Sequence, residues 1–297
     1  MGARASPEQE AMLAPLRDVI AAHGLVARKS LGQHFLLDLN LTRRIARAAG
    51  EIADATVIEI GPGPGGLTRA LLLEGAKRVV AIERDERCVR ALEDLTAAFP
   101  GKLEIIAGDA LEIDLCALAR RIGDRVLVVA NLPYNIATPL ILAWLRDMTA
   151  FASLTLMLQK EVAERLAAKP RTKAYGRLTI MCQWRCVVKM LFDVDPRAFT
   201  PPPKVTSTVV RFVPREKPLA EADAGILEKV VAAAFGQRRK MLRTALKSLA
   251  AENGRNATAL LEEAGIAPTA RAEELTVEEF CALARAFAAS CAPCAAC

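Results

Sequence analysis

The sequence predicts an α/β protein in which a doubly wound, parallel, Rossmann-like sheet precedes a small all-α domain. Three observations carry that prediction. Short apolar runs alternate with helix-type segments from about residue 38 to 213, a glycine-rich turn closes the first run, and from Leu219 onward only helical periodicity remains. Strands that alternate with helices are joined by right-handed crossovers, so the runs line up in parallel.

In chain order, residues 56–60, 78–83, 102–107, 125–130 and 152–159 read as short buried strands. Residues 67–73, 85–98, 111–121 and 137–147 read as the helices between them, with Asp85 as an N-cap. Two more helices follow at 160–169 and 174–183, then β-rich pieces at 185–193 and 205–213. The expected organisation is an N-terminal helix and loop over 1–30, an α/β domain over 31–213, a linker at 214–218, a helical domain over 219–290 and a cysteine-containing tail over 291–297.

At 297 residues and 53% hydrophobic composition, the chain can bury a substantial core. No apolar run approaches the ~20 residues that span a bilayer, and residues 1–30 lack a signal-peptide stretch, so no membrane association and a cytoplasmic location are expected. The eight cysteines are scattered and read as reduced thiols. Cys291, Cys294 and Cys297 lack a fourth ligand nearby, and no metal site is expected. The absence of a heptad or an apolar stripe argues for a monomer.

The net charge of +6 is concentrated. Residues 160–211 hold eleven Lys/Arg against four Asp/Glu, and Arg238, Arg239, Lys240, Arg243, Lys247 and Arg255 form a second cluster near Glu252 alone. Such stretches suit a polyanion, and equally a solvated helix face.

The first strand ends in Glu59-Ile-Gly-Pro-Gly-Pro-Gly-Gly66 just before a helix. Gly61, Gly63 and Gly65 permit a tight turn and close approach of a nucleoside ligand. Gly61, Gly63 and Gly66 also fit the dinucleotide fingerprint, so the glycines leave nicotinamide and other adenosine cofactors both open. Glu83 ends the second strand, where a carboxylate can accept from ribose hydroxyls; Asp109 follows the third; Asn131 follows the fourth. Either acid alone also suits a helix N-terminus. A doubly wound sheet opens all these strand ends on one edge, so Gly61, Glu83, Asp109 and Asn131 are expected to line one crevice.

Asn131-Leu132-Pro133-Tyr134 is the most chemically specific segment. An exocyclic nucleobase amine delocalises its lone pair into the ring and is a poor nucleophile until its hydrogens are held and the pair is turned outward. Asn131 offers a side-chain carbonyl, Leu132 a main-chain one, Pro133 stiffens the turn, and Tyr134 gives a base a face to stack on.

These blocks resemble the S-adenosylmethionine-dependent ribosomal RNA adenine dimethyltransferases, and within them the small-subunit branch. The resemblance runs from Lys29 to about Leu249. It rests on residues 29–36 (KSLGQHFL), the glycine block, Asn131–Tyr134, residues 199–207 (FTPPPKVTS) and residues 235–242 (FGQRRKML). It implies a class I methyltransferase sheet that binds S-adenosyl-L-methionine through His34, Leu36, Gly61, Gly63, Glu83, Asp109 and Asn131, with Glu83 on the ribose and Asp109 on the adenine amine. Many relatives carry Asn at the position of His34, which points to a main-chain contact there. It further implies that Tyr134 and Phe199 sandwich the target adenine, and that Arg238, Arg239, Lys240, Arg243 and Lys247 bind RNA. The implied reaction is N6,N6-dimethylation of two adjacent adenosines in a hairpin near the 3′ end of 16S ribosomal RNA during small-subunit maturation. A related large-subunit methyltransferase and a non-catalytic RNA-binding assembly factor are the alternatives.

Overall fold

The computed structural model describes residues 7–11, 13–28, 31–123, 125–252 and 254–289. Expectations for Lys29 and for the Cys291, Cys294 and Cys297 tail lie outside them. The chain forms β1 (Phe35–Leu36), β2 (Thr56–Ile60), β3 (Arg78–Glu83), β4 (Leu103–Ala107), β5 (Val126–Asn131), β6 (Ser153–Gln159), β7 (Cys186–Val194), β8 (Phe199–Thr200) and β9 (Ser207–Pro214). Seven strands make one sheet in the order β4-β3-β2-β5-β6-β9-β7, and β1 pairs with β8 in a separate two-stranded ribbon.

The five strands of the sheet's first part are parallel, as the alternating pattern requires, while β9 runs antiparallel to β6. β2 is buried at every position, the signature of a strand covered on both faces. Residues such as Val57, Leu71, Val79, Leu92 and Leu127 fill the core around it. The helices start where short acidic side chains cap them: Asp85 accepts from Arg87 N–H, and Asp114 from Ala117 N–H.

Several boundaries differ from the sequence reading. The helix expected at 111–121 runs Leu115–Ile122, because Asp109 turns the chain by accepting from Leu111 N–H and Asp114 takes the cap. The helix expected at 137–147 runs Tyr134–Trp144 and starts at Pro133. The N-terminal stretch contains two short helices, Pro7–Ala11 and Leu16–Ala22, rather than one.

The chain divides into two compact units, Met1–Ala163 with Lys189–Pro214, and Glu164–Val188 with Arg215–Cys297. Residues 164–188, which the sequence reading grouped with the sheet, therefore belong with the C-terminal helices. The reason is packing: Tyr175, Ile180 and Trp184 are buried in one cluster with Leu227, Leu260 and Phe280. Their polar ends are satisfied inside that unit, Tyr175 donating to Leu275 O and Trp184 to Ala220 O, both at 2.8 Å. No described helix is long and apolar enough to cross a membrane.

Candidate active site

From β2 the chain moves to β3 and β4 on one side, then returns to place β5 and β6 on the other. That reversal opens a crevice at the carboxyl ends of β2 and β5. Gly61, Glu83, Asp109 and Asn131 all line it, together with Leu36 and Tyr134. The four strand-end residues that the sequence singled out are thus brought together.

The glycine turn can now be read atom by atom. Gly61 N–H donates to Ile82 O, Gly63 N–H to Glu83 Oε2, and Gly65 N–H to Pro62 O. Pro62 and Pro64 have no N–H at all. Through Gly65 the turn therefore has no donor left to cradle a pyrophosphate, and the dinucleotide alternative loses its main support. Gly66 is needed for space: a Cβ there would sit 2.5 Å from Leu36 O, the backbone of β1.

The crevice is acidic. Glu83 is buried, with its two oxygens accepting from Gly63 N–H at 2.9 Å and Asp85 N–H at 2.7 Å. Burial raises its pKa despite these bonds. Glu59, absent from the sequence-derived set, is 1% exposed beside it. Its Oε2 has no aligned hydrogen-bond partner, nor has the Thr68 hydroxyl nearby. Burial first, and the charge of Glu83 in addition, push the Glu59 carboxyl up to about 8. Asp109 accepts from Leu111 N–H through Oδ1 and from Arg84 Nη1 through Oδ2 at 2.8 Å, so Arg84, also missed, spans the gap between β3 and β4. With the Glu59 carboxyl held neutral by burial, Glu83 and Asp109 stand against the single Arg84, which suits a cationic ligand better than a polyphosphate.

At the end of β5, Asn131 Nδ2 donates to His34 O at 3.2 Å. That bond fixes which end of the amide faces the backbone and leaves Oδ1 as the acceptor for a guest. Pro133 O is used by Ile136 N–H, which starts the following helix, while the Leu132 side chain is buried. Tyr134 is anchored through its hydroxyl to Ser207 Oγ at 2.8 Å, and burial raises its pKa. Leu36 is a core residue of β1, paired with Phe199 across the β1–β8 ribbon. Phe199 is 3% exposed and packed in the core, so it presents no open stacking face; the edge-on ring of His34 lies against it at 6.4 Å. A buried aromatic on a two-residue strand explains why: the ribbon turns the ring inward.

The basic residues of the second unit differ among themselves. Arg239, Lys240, Arg243 and Lys247 are exposed. Arg238 is not free, since it donates to Glu273 Oε2 at 2.9 Å and to Thr172 O. The stretch also is not one helix: residues 237–240 form a turn, and helices at Leu242–Ala245 and Lys247–Glu252 follow.

A mostly parallel seven-stranded sheet with β9 inserted antiparallel, a donor-poor glycine turn and an acidic crevice define a Rossmann-like class I methyltransferase. Comparison with known proteins is more specific. The sequence profile of the ribosomal RNA adenine dimethylase family matches residues 24–289. The ribosomal RNA small subunit methyltransferase A of Rhodospirillum rubrum is 63% identical over 278 residues, covering 94% of each chain. That of Paramagnetospirillum magneticum is 62% identical over 275 residues, 93% of this chain and 95% of its own. Among solved structures, a dimethyladenosine transferase from Plasmodium falciparum superposes with a TM-score of 0.75 at 27% identity, over 86% of this chain and 98% of its own. The 23S rRNA methyltransferase ErmE gives 0.63 at 28% identity, over 86% and 99%. The chain belongs to the ribosomal RNA adenine dimethylase family and is a ribosomal RNA methyltransferase.

Proposed function

We propose that the crevice binds S-adenosyl-L-methionine and that the Asn131 corner presents N6 of an adenosine to it. The target RNA in this reading is the 16S ribosomal RNA of the small subunit, with two adjacent adenosines in a hairpin near its 3′ end each dimethylated. The observation that carries the reading is the Asn131 amide, pinned to His34 O so that its oxygen is offered at the switch point. The small-subunit assignment is supported by the names of the relatives above 60% identity. We place the enzyme, as a monomer, in the cytoplasm with its substrate.

The donor chemistry fits the cofactor. Glu83 would hold the ribose hydroxyls and Asp109 the adenine amine, and the surplus of carboxyl groups suits a cationic sulfonium and its amino group. Leu36, Gly61, Gly63 and the backbone of His34 would line the rest of its seat. When bound, the cofactor supplies an already electrophilic methyl group, so the protein's work is alignment rather than strong base catalysis. Asn131 Oδ1 and the Leu132 carbonyl accept the two N6 hydrogens and favour a pyramidal nitrogen with its lone pair outward. The lone pair so presented would take up the methyl group that the bound sulfonium supplies, leaving a neutral thioether. The new ammonium proton leaves to water. Pro133 keeps the corner rigid, and Tyr134 stacks on the flipped base, offsetting the few kcal/mol of unstacking. Arg239, Lys240, Arg243 and Lys247 would contact phosphates.

Asn131→Ala tests this. Removing a positioning acceptor from a polar reaction centre should lower kcat by about 10²–10³-fold, with RNA affinity within a few-fold of the parent. Full activity in this variant would remove the catalytic assignment. Equal loss of RNA binding would favour a folding or binding role instead. The large-subunit alternative, raised by the similarity to ErmE, predicts methylation of 23S rather than 16S RNA.

A further inference from the structure

Resting on the function proposed above, we infer that the His34 imidazole is a placeholder for the target base: it occupies the stacking face of Tyr134 and is displaced when adenine enters. Three contacts hold the ring there. It stacks on Tyr134 with centroids 5.7 Å apart and planes at 29°. Its edge meets Phe199, with centroids at 6.4 Å and planes at 82°. Its Nδ1–H donates to Pro201 O at 2.7 Å, from the loop that follows β8.

Distances decide between displacement and sandwiching. Aromatic layers approach no closer than about 3.5 Å, so a base inserted between two rings needs roughly 7 Å between them. The 5.7 Å between His34 and Tyr134 is too little. A base that stacks on Tyr134 meets the imidazole directly, because that ring already lies against the Tyr134 face. The Tyr134 ring cannot turn aside freely, since its hydroxyl is tied to Ser207. The imidazole can move: it is half-buried on a loop that begins at Gly32, where φ is +63°, and one hydrogen bond holds its far side. His34 is thus a positioning residue that keeps Tyr134 ordered and dry until the base arrives, at a cost in substrate affinity.

The prediction concerns the split between KM and kcat. A ring contact and one hydrogen bond together oppose base entry by at least about fivefold. His34→Ala should lower KM for ribosomal RNA by about fivefold or more, a larger change than any in kcat. His34→Phe, which keeps a stacking ring but loses the bond to Pro201, should lie between. With 2-aminopurine at the target position, His34→Ala should raise the fluorescence of the flipped-out state at subsaturating protein. A raised KM or weaker flipping signal in His34→Ala would make His34 a wall of the base pocket and overturn the inference. An unchanged KM with weakened cofactor binding would make the side chain part of the cofactor seat and overturn it equally. The wild-type enzyme run alongside reports on the functional reading itself: if it methylates no adenosine, that reading fails, whatever His34 does.

Discussion

Glu59 sits on the central strand β2, 1% exposed, with one carboxyl oxygen lacking any aligned partner and the Glu83 carboxyl close by. Its pKa of about 8 in the folded protein, against an ordinary value of 4.5 for an exposed glutamate, has a consequence for stability. Below pH 4.5 the carboxyl is protonated in both states. Between 4.5 and 8 the folded state alone keeps the proton, so stability falls as pH rises through this window and levels off above it. From pH 5 to pH 8, three pH units at about 1.36 kcal/mol per unit set an upper bound of roughly 4 kcal/mol. Glu59→Gln keeps the shape and removes the titration. Thermal unfolding monitored by circular dichroism from pH 5 to pH 8.5 should show the parent losing Tm over this range, at about 2–4 °C per kcal/mol, and the variant losing distinctly less. Because other carboxylates, Asp85 among them, are stabilised in the opposite sense at lower pH, the diagnostic is the difference between the two proteins. Parallel Tm profiles would refute the claim that Glu59 is buried and neutral.

Three further outcomes follow from the same geometry. Neutralising Arg239, Lys240, Arg243 and Lys247 to Gln should weaken RNA binding and flatten its dependence on salt, by up to about one unit of slope per lost phosphate contact; Arg238→Gln, whose guanidinium is tied to Glu273 and Thr172, should instead cost about 1 kcal/mol of stability. A filter-binding titration at several salt concentrations measures the first, and an unaltered slope would mean that these residues do not touch phosphate. Gly66→Ala should cost about 1–3 kcal/mol in urea unfolding, because the added methyl collides with Leu36 O, a backbone atom that moves only with β1. An unchanged midpoint would show that the packing there is looser than described.

Much of the fold was legible because its signals are local. β2 and β3 fall where short, mostly apolar runs end in glycine or an acid, and the cap at Asp85 is visible in one residue. The 111–121 helix was misplaced because Asp109 and Asp114 are both competent caps, and only the turn at Leu111 decides between them. The β1–β8 ribbon was invisible, since two residues carry no period and their partners lie more than 160 positions apart. For the same reason the burial of Phe199, for which the resemblance implies a stacking role, could not be read from the sequence. The grouping of Tyr175 and Trp184 with the C-terminal helices depends on contacts that no local pattern announces. At the site, the strand-end residues were readable from topology alone. The roles of Glu59, Arg84 and the His34 ring were not, because they arise from orphaned atoms and from pairings between distant segments.

The account stands or falls on where the methyl group goes. Incubating the protein with methyl-labelled S-adenosylmethionine and unmethylated small ribosomal subunits, then digesting the RNA and mapping the modified nucleoside, should yield N6,N6-dimethyladenosine at two neighbouring positions near the 3′ end of 16S RNA. Label on 23S RNA, on a different atom, or nowhere would contradict it.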